Sequence, residues 1–247
     1  MQQWQQLIAI IKKEVKPALG CTEPTSIAYA CAHAARILGQ KPEKLHVFVS
    51  DNLYKNAMGV FVPGTGKIGL PIAASVGALG GNPDAGLEVL AGITTAQVKE
   101  ALEMIEAGHV KIDRADSNEE VFCRAIATAG NDSAEVTVSG GHTDIVETRK
   151  NNEVLFKKET DIKTDDKGSS SLGGEEINLK MIYDFALNVP MEDIRFILQA
   201  RDINMALAEE GLAHEYGLEL GRTIREQIQA HILFTISLLT LFSCLSK

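Results

Sequence analysis

A single cysteine stands immediately before a predicted helix, in the run Ala18-Leu19-Gly20-Cys21-Thr22-Glu23-Pro24. Proline is favoured in the first turn of a helix, and the alanine-rich segment from Thr25 to Leu38 has apolar residues at helical spacing. A thiol at a helix N-terminus faces the positive end of the helix dipole, which favours the thiolate. Thiolate sulfur binds iron and attacks carbon, so Cys21 is the first candidate for chemistry. From the residues alone, a buried structural cysteine is the alternative.

Polar residues in two further segments could bind a small ligand. Ser50, Asn52 and Asn56 follow a predicted strand, and Gly64 and Thr65 form a predicted turn with small side chains. Such segments present hydroxyl, amide and backbone N–H groups, which can bind the carboxylate of an amino acid. Asparagine and glycine are also ordinary turn residues, and that role is the alternative.

Two residues are candidates for a general base. Lys55 would need to be desolvated to give up its proton easily, and a solvated surface lysine is the alternative. His142 follows Gly140-Gly141 between two predicted strands, and Thr143 beside it could bind substrate. Imidazole side chains exchange protons near neutral pH, whereas a histidine that only occupies a hairpin turn would have no chemical role.

Six separated blocks resemble, in the same order, the L-cysteine desulfidases, which are related to the alpha chain of the iron–sulfur bacterial L-serine dehydratases. The resemblance implies a 4Fe-4S cluster held by three cysteines, and elimination of sulfide from L-cysteine or of water from L-serine to leave pyruvate and ammonia. Cys21 matches the N-terminal cluster ligand of that family. The blocks are Gly20-Cys21-Thr22-Glu23-Pro24, Ser50-Asp51-Asn52-Leu53-Tyr54-Lys55-Asn56, Val62-Pro63-Gly64-Thr65, Gly77-Ala78-Leu79-Gly80-Gly81, Gly140-Gly141-His142-Thr143 and Met205-Ala206-Leu207-Ala208-Glu209-Glu210-Gly211-Leu212.

The other cysteines depart from the family pattern. Cys31, Cys123 and Cys244 lie in no matching motif, and one thiolate cannot hold a cubane cluster. We therefore expect the isolated chain to lack the cluster and to be impaired as a lyase. A non-catalytic amino-acid-binding or interaction module derived from the same family is the alternative.

The last segment of the chain also differs from the family. The likeness fades after Gly221-Arg222-Thr223, and Ile232 to Leu245 is apolar or hydroxyl-bearing throughout. Fourteen such residues are too few to cross a bilayer as a helix. We expect a truncated or frame-shifted product, and a short variant with a membrane-associating end is the alternative.

Composition excludes several other classes of function. The 33 acidic and 24 basic residues give a formal charge of −9, which disfavours nucleic acid as a partner. No signal-peptide pattern and no close cysteine pair is present, so we expect a cytoplasmic protein with membrane association unlikely. No lysine has a recognisable setting for a Schiff base, which disfavours pyridoxal phosphate. The expected partner is L-cysteine or L-serine, and a homo-oligomer is possible.

The pattern of elements predicts an α+β fold, with helical N-terminal and C-terminal parts around a small antiparallel β-meander. Helices are predicted over Gln3–Val15 and Met191–Gln199, and another begins at Thr94, where Gln97 completes a capping box. Strands are predicted over Lys44–Ser50, Val110–Ile112, Val121–Thr128, Val136–Val138, Ile145–Val146 and Val154–Phe156. The expected segments are 1–109 (helical, glycine-rich), 110–160 (antiparallel β), 161–175 (linker loop), 176–230 (helical) and 231–247 (hydrophobic tail).

Overall fold

The computed structural model describes residues 2–158, 171–172, 175–215 and 219–229. The helices are α1 (Gln2–Glu14), α2 (Thr22–Leu38), α3 (Asp51–Ala57), α4 (Leu70–Gly80), α5 (Thr95–Glu106), α6 (Leu179–Asn188), α7 (Met191–Ile194), α8 (Ile197–Ala213) and α9 (Leu220–Gln229), with a 3-10 helix over Pro83–Glu88. The strands are β1 (Lys44–Val49), β2 (Phe61–Val62), β3 (Lys67–Ile68), β4 (Val110–Arg114), β5 (Phe122–Ala129), β6 (Asp132–Ser139), β7 (Ile145–Lys150), β8 (Glu153–Lys157), β9 (Ser171–Leu172) and β10 (Glu175–Glu176).

The chain is a mixed α/β protein that divides into two compact units. Of the described residues, one unit holds 16–158, and the other holds 2–15 with those from 171 onward. This division differs from the expected boundary between residues 109 and 110, because strands on both sides of that boundary belong to one sheet.

The larger unit is built on a six-stranded sheet in the order β4-β1-β5-β6-β7-β8. Leu45, Val47 and Val49 of β1 are buried on one face, as the alternation of the sequence predicted. The hairpin from β5 through Gly130 to β6 is also confirmed. One expectation is wrong: β4 does not join the antiparallel meander but pairs with β1 in parallel, Leu45 opposite Val110.

Two helices, α2 and α4, cross at very short range. A Cβ atom on Gly77 of α4 would lie 2.4 Å from the carbonyl oxygen of Ala28 in α2. Ala28, Ala73 and Ala74 are completely buried around this crossing. The glycine-rich segment therefore serves close helix packing here, which fixes α2 and the residues at its start.

The predicted helix signals around α5 are confirmed. Thr94 accepts from the Gln97 backbone N–H, and the Gln97 side chain accepts in return from the Thr94 backbone N–H. Gly108 follows the helix with a φ of +72°, in the left-handed region that glycine tolerates. The chain then enters β4, so α4 and α5 lie in the crossover between the parallel strands β1 and β4.

The smaller unit packs α1 against α6, with Leu7, Ile8 and Phe185 buried. The single tryptophan, Trp4, meets Phe185 edge to face, with ring centroids 6.5 Å apart. The helix predicted over Met191–Gln199 begins as expected, but the structure divides it into α7 and the start of α8.

Two expected segments lie wholly or largely outside the described residues. The linker 161–175 is described only at 171–172 and 175, which belong to the paired strands β9 and β10. The tail 231–247, with Cys244, is outside the described ranges. Within those ranges, no helix has the length and apolar character needed to cross a membrane.

Candidate functional site

The first turn of α2 positions Cys21 as predicted. The helix begins at Thr22, three residues earlier than expected, with Cys21 as its N-cap residue and Pro24 in the first turn. The Thr25 hydroxyl donates to the Cys21 carbonyl oxygen at 2.9 Å, which fixes the backbone of the cysteine. Cys21 is half-buried, and its side chain makes no capping bond to the helix. The backbone of Cys21 is therefore fixed, and its sulfur is not used to cap the helix.

The protonation state of Cys21 differs from the expectation. Its Sγ donates to Oε2 of Glu23 at 3.0 Å. Burial and the adjacent Glu23 carboxylate raise the pKa of the Cys21 thiol above its ordinary value, and together they outweigh the helix N-terminus. The prediction that the fold favours the thiolate is therefore wrong for the protein without ligand.

Glu23 is the centre of this polar cluster. Its Oε1 accepts from Nδ2 of Asn56 in α3 at 3.3 Å, and its Oε2 accepts from the Thr22 hydroxyl at 3.3 Å. Burial opposes ionisation of Glu23, but hydrogen bonds from Cys21, its own backbone N–H and Asn56, with the nearby His142, lower its pKa. An ionised carboxylate therefore stands beside a protonated thiol.

His142 joins the cluster from a distant part of the chain. Its Nε2 lies 3.3 Å from the Thr22 hydroxyl, across 120 positions of sequence. The residue lies between β6 and β7, as predicted, after Gly140 at a φ of +83°. Its Nδ1 is buried without a hydrogen-bond partner among the described residues. Buried polar atoms are nearly always paired, so this nitrogen is a candidate contact for a water or a ligand.

The other predicted binding residues divide between the cluster and local structure. Asn52 accepts from Asn56 at 3.4 Å, which links it to Glu23. Thr143 is half-buried and follows His142, and Lys55 is exposed to solvent on α3. The buried Ser50 caps α3 by accepting from Leu53 N–H, and it donates to the Glu120 carbonyl oxygen at 2.8 Å.

The turn at Gly64 and Thr65 approaches the site through its neighbour Pro63. A Cβ atom on Gly20 would lie 3.3 Å from Cγ of Pro63, so the hairpin of β2 and β3 contacts the chain beside Cys21. The buried Thr65 hydroxyl donates to the Val62 carbonyl oxygen at 2.8 Å and holds the turn together. Gly64 is exposed and has a φ of +75°.

Sequence reasoning did not assign three polar residues of α2. Thr22 and Glu23 belong to the Gly20–Pro24 motif. A carboxylate beside a cysteine in the first turn of a helix could have identified Glu23 as a site residue. The Ser26 hydroxyl is completely buried and has no partner in the described part of the chain. One turn separates Ser26 from Thr22, but nothing in the sequence marks an unpaired hydroxyl.

The described residues supply one cysteine of the expected cluster site. Cys31 and Cys123 are completely buried; burial raises the pKa of the Cys31 thiol well above its ordinary value and that of Cys123 to about 12. No three His, Cys, Asp or Glu side chains of the described ranges are grouped so that they could hold a metal ion. The residues at hand thus fit a single ligand position, at Cys21, and do not by themselves fit a whole cluster.

Comparison with known proteins gives a consistent set of relatives. A UPF0597 protein of Aliivibrio salmonicida is 51% identical over 230 residues, which cover 93% of this chain and 54% of the relative. UPF0597 proteins of Shewanella sediminis and Aeromonas hydrophila are 54% and 53% identical, over 92% and 94% of this chain and 53% and 55% of their own lengths. This chain is similar to UPF0597 proteins.

The similarity has a defined extent. The chain spans about half the length of the curated relatives it matches. No protein-family model matches the chain, and no solved structure matches it significantly.

Proposed function

We propose that this chain contributes the Cys21-bearing part of an iron–sulfur-dependent lyase that removes the β-substituent of L-cysteine or L-serine. The observation that supports the proposal is the cluster of Cys21, Glu23, Asn56 and His142, which come from three separate segments to the start of α2. In such an enzyme a bound iron–sulfur cluster would supply a Lewis-acidic iron. The remaining cluster ligands are to be sought outside the described residues.

Glu23 has a defined role in this proposal. A cysteine must lose its proton when it binds a metal. The Oε2 atom of Glu23 lies 3.0 Å from Sγ and already accepts the thiol hydrogen, so it is the nearest acceptor for that proton. The hydrogen bond from Asn56 keeps the carboxylate oriented toward the thiol.

His142 is our candidate for the base that takes the α-proton of the substrate. Its Nε2 lies 3.3 Å from the Thr22 hydroxyl, which donates to Glu23, so two contacts join His142 to that carboxylate. Lys55 is a weaker candidate because its side chain is exposed on α3. The amides of Asn52 and Asn56, the backbone at Gly64 and the Thr143 hydroxyl are the groups that we assign to the substrate carboxylate and amino group.

The decisive test compares this chain with a full-length relative under anaerobic conditions. Both proteins are incubated with ferrous iron and sulfide, and iron, labile sulfide and visible absorption are measured, followed by pyruvate formation from L-cysteine and L-serine. We expect the Aeromonas hydrophila relative to acquire a cluster and to form pyruvate. Since one thiolate cannot hold a cubane, we expect this chain alone to bind iron far below four atoms per molecule.

Serine at the position of the relative that aligns with Cys21 should abolish both its visible absorption and pyruvate formation. Alanine at the position that aligns with the buried Cys31 is the matched control and should keep both. Retained colour and turnover in the Cys21-aligned variant would overturn the proposal. So would a relative that binds L-serine in calorimetry but forms no pyruvate, a result that favours a non-catalytic binding module.

A further inference from the structure

Helix α6 is apolar on two opposite sides. Met181 and Phe185 pack into the core with α1. Leu179, Tyr183 and Leu187 follow one another at intervals of four residues on another face, and they are 81%, 62% and 65% exposed. A surface helix normally has charged or polar residues opposite its core-facing stripe. The second apolar face of α6 is therefore unusual for a surface helix.

Helix α8 also has large apolar residues on two opposite sides. Its 17 residues include none that is buried. Ile203 and Leu207 share one face, and Met205 lies about 200° around the helix from Ile203. All three are about half exposed. A surface helix normally buries its apolar side against the rest of the protein, whereas α8 buries neither of these two sides.

The smaller unit offers little to cover these faces within the described residues. Its buried apolar side chains there are Leu7, Ile8 and Phe185. Isolated helices of this length are marginal in water, because most helical stability in proteins comes from packing an apolar face. The outer faces of α6 and α8 thus have the character of an interface.

The relatives indicate what packs against the outer faces of α6 and α8. They are 51–54% identical to this chain over nearly all of it, yet 45–47% of each relative lies outside the match. We propose that Leu179, Tyr183 and Leu187 of α6, with Ile203, Met205 and Leu207 of α8, dock a polypeptide equivalent to that unmatched part of the relatives. This inference does not depend on the proposed enzymatic function, and its test measures no activity.

The test places the same substitution in two contexts. Leu187→Lys and Leu207→Lys are made in this chain and at the aligned positions of the full-length Aeromonas hydrophila relative, and thermal unfolding is measured. The matched control is Leu155→Lys on β8, a leucine that is 54% exposed in the other unit. A lysine forced into a packed interface leaves a buried charge without a partner.

We expect the Leu187 and Leu207 substitutions to lower the melting temperature of the relative by about 5 °C or more and to leave this chain within about 1 °C. Unchanged melting temperatures in both proteins would show that nothing packs on these faces and would overturn the proposal. A similar fall in the melting temperature of the isolated chain would also overturn the proposal, because the chain would then cover these faces itself. Light scattering tests whether a second copy of this chain occupies these faces instead. A stable dimer that Leu207→Lys separates would show that it does and would overturn the proposal.

Discussion

Cys21 is subject to opposing electrostatic effects within one turn of helix. The N-terminus of α2 favours the thiolate, whereas burial and the Glu23 carboxylate, whose Oε2 lies 3.0 Å from the sulfur, favour the thiol. The raised pKa keeps the sulfur protonated to a higher pH than an ordinary thiol, which lowers its reactivity. Its contribution to folding is present below the ordinary thiol pKa of 9.0 and is lost as the pH rises through the raised pKa of the folded protein.

Glu23→Gln should make Cys21 more reactive. Removing the carboxylate charge lowers the pKa of the thiol, and each unit of that fall raises the thiolate fraction about tenfold well below the pKa. We expect the alkylation rate of Cys21 by iodoacetamide at pH 8 to rise about threefold to tenfold, measured by peptide mass spectrometry.

Glu106→Gln, at the end of α5, is the matched control and should leave that rate unchanged. Cys31 and Cys123 serve as internal references because both are completely buried in the folded protein. An unchanged rate in Glu23→Gln would show that the carboxylate does not restrain the thiol.

At the scale of elements, α2 is positioned by its crossing with α4. The absence of a side chain at Gly77 lets the two backbones approach, since a Cβ there would meet three backbone atoms of Ala28 at 2.4–2.8 Å. Backbone atoms inside a helix cannot rotate away as a side chain can. The close crossing therefore fixes the direction of α2, and with it the place of Cys21, Thr22 and Glu23.

Gly77→Ala should destabilise the larger unit. The added methyl group raises helix propensity but forces α2 and α4 apart, and overpacking of this kind costs about 1–3 kcal/mol. Chemical denaturation followed by circular dichroism measures the loss. Gly92→Ala is the matched control, because a Cβ at Gly92 meets nothing within 4 Å. Equal midpoints for the two variants would contradict the packing argument.

Elements defined by local signals were predictable, and those defined by distant partners were not. The alternation of Leu45, Val47 and Val49 identifies β1, and the Thr94–Gln97 capping box identifies the start of α5. The parallel direction of β4 was missed, because a period of two residues is the same in parallel and antiparallel strands. His142 was named as a candidate, but its contact with Thr22 depends on how β6 and β7 lie beside α2, which no local pattern encodes.

At the scale of the whole molecule, the two units have very different cores. The larger unit buries apolar residues from α2, α4, α5 and strands β1, β5 and β6 in one cluster. The buried apolar side chains described for the smaller unit are Leu7, Ile8 and Phe185. Stability follows buried apolar area, so the two units should differ in resistance to denaturant.

Trp4 makes that difference measurable. It is the single tryptophan of the chain and packs on Phe185 in the smaller unit, so its fluorescence reports unfolding of that unit alone. We expect the fluorescence transition in urea to have a lower midpoint than the transition measured by far-ultraviolet circular dichroism. The two midpoints should differ by about 1 M or more for a stability difference of a few kcal/mol. Coincident transitions would instead indicate one cooperative unit.

The place of β1 between β4 and β5 has a consequence during synthesis. Its neighbours β4 and β5 are made 60 or more positions later, since β1 ends at Val49 while β4 begins at Val110 and β5 ends at Ala129. As the nascent polypeptide leaves the ribosome, the hydrogen-bonding groups on both edges of β1 stay unpaired until β4 and β5 have been translated. Exposed strand edges are prone to aggregation, so chaperone demand should be greatest before residue 129 emerges.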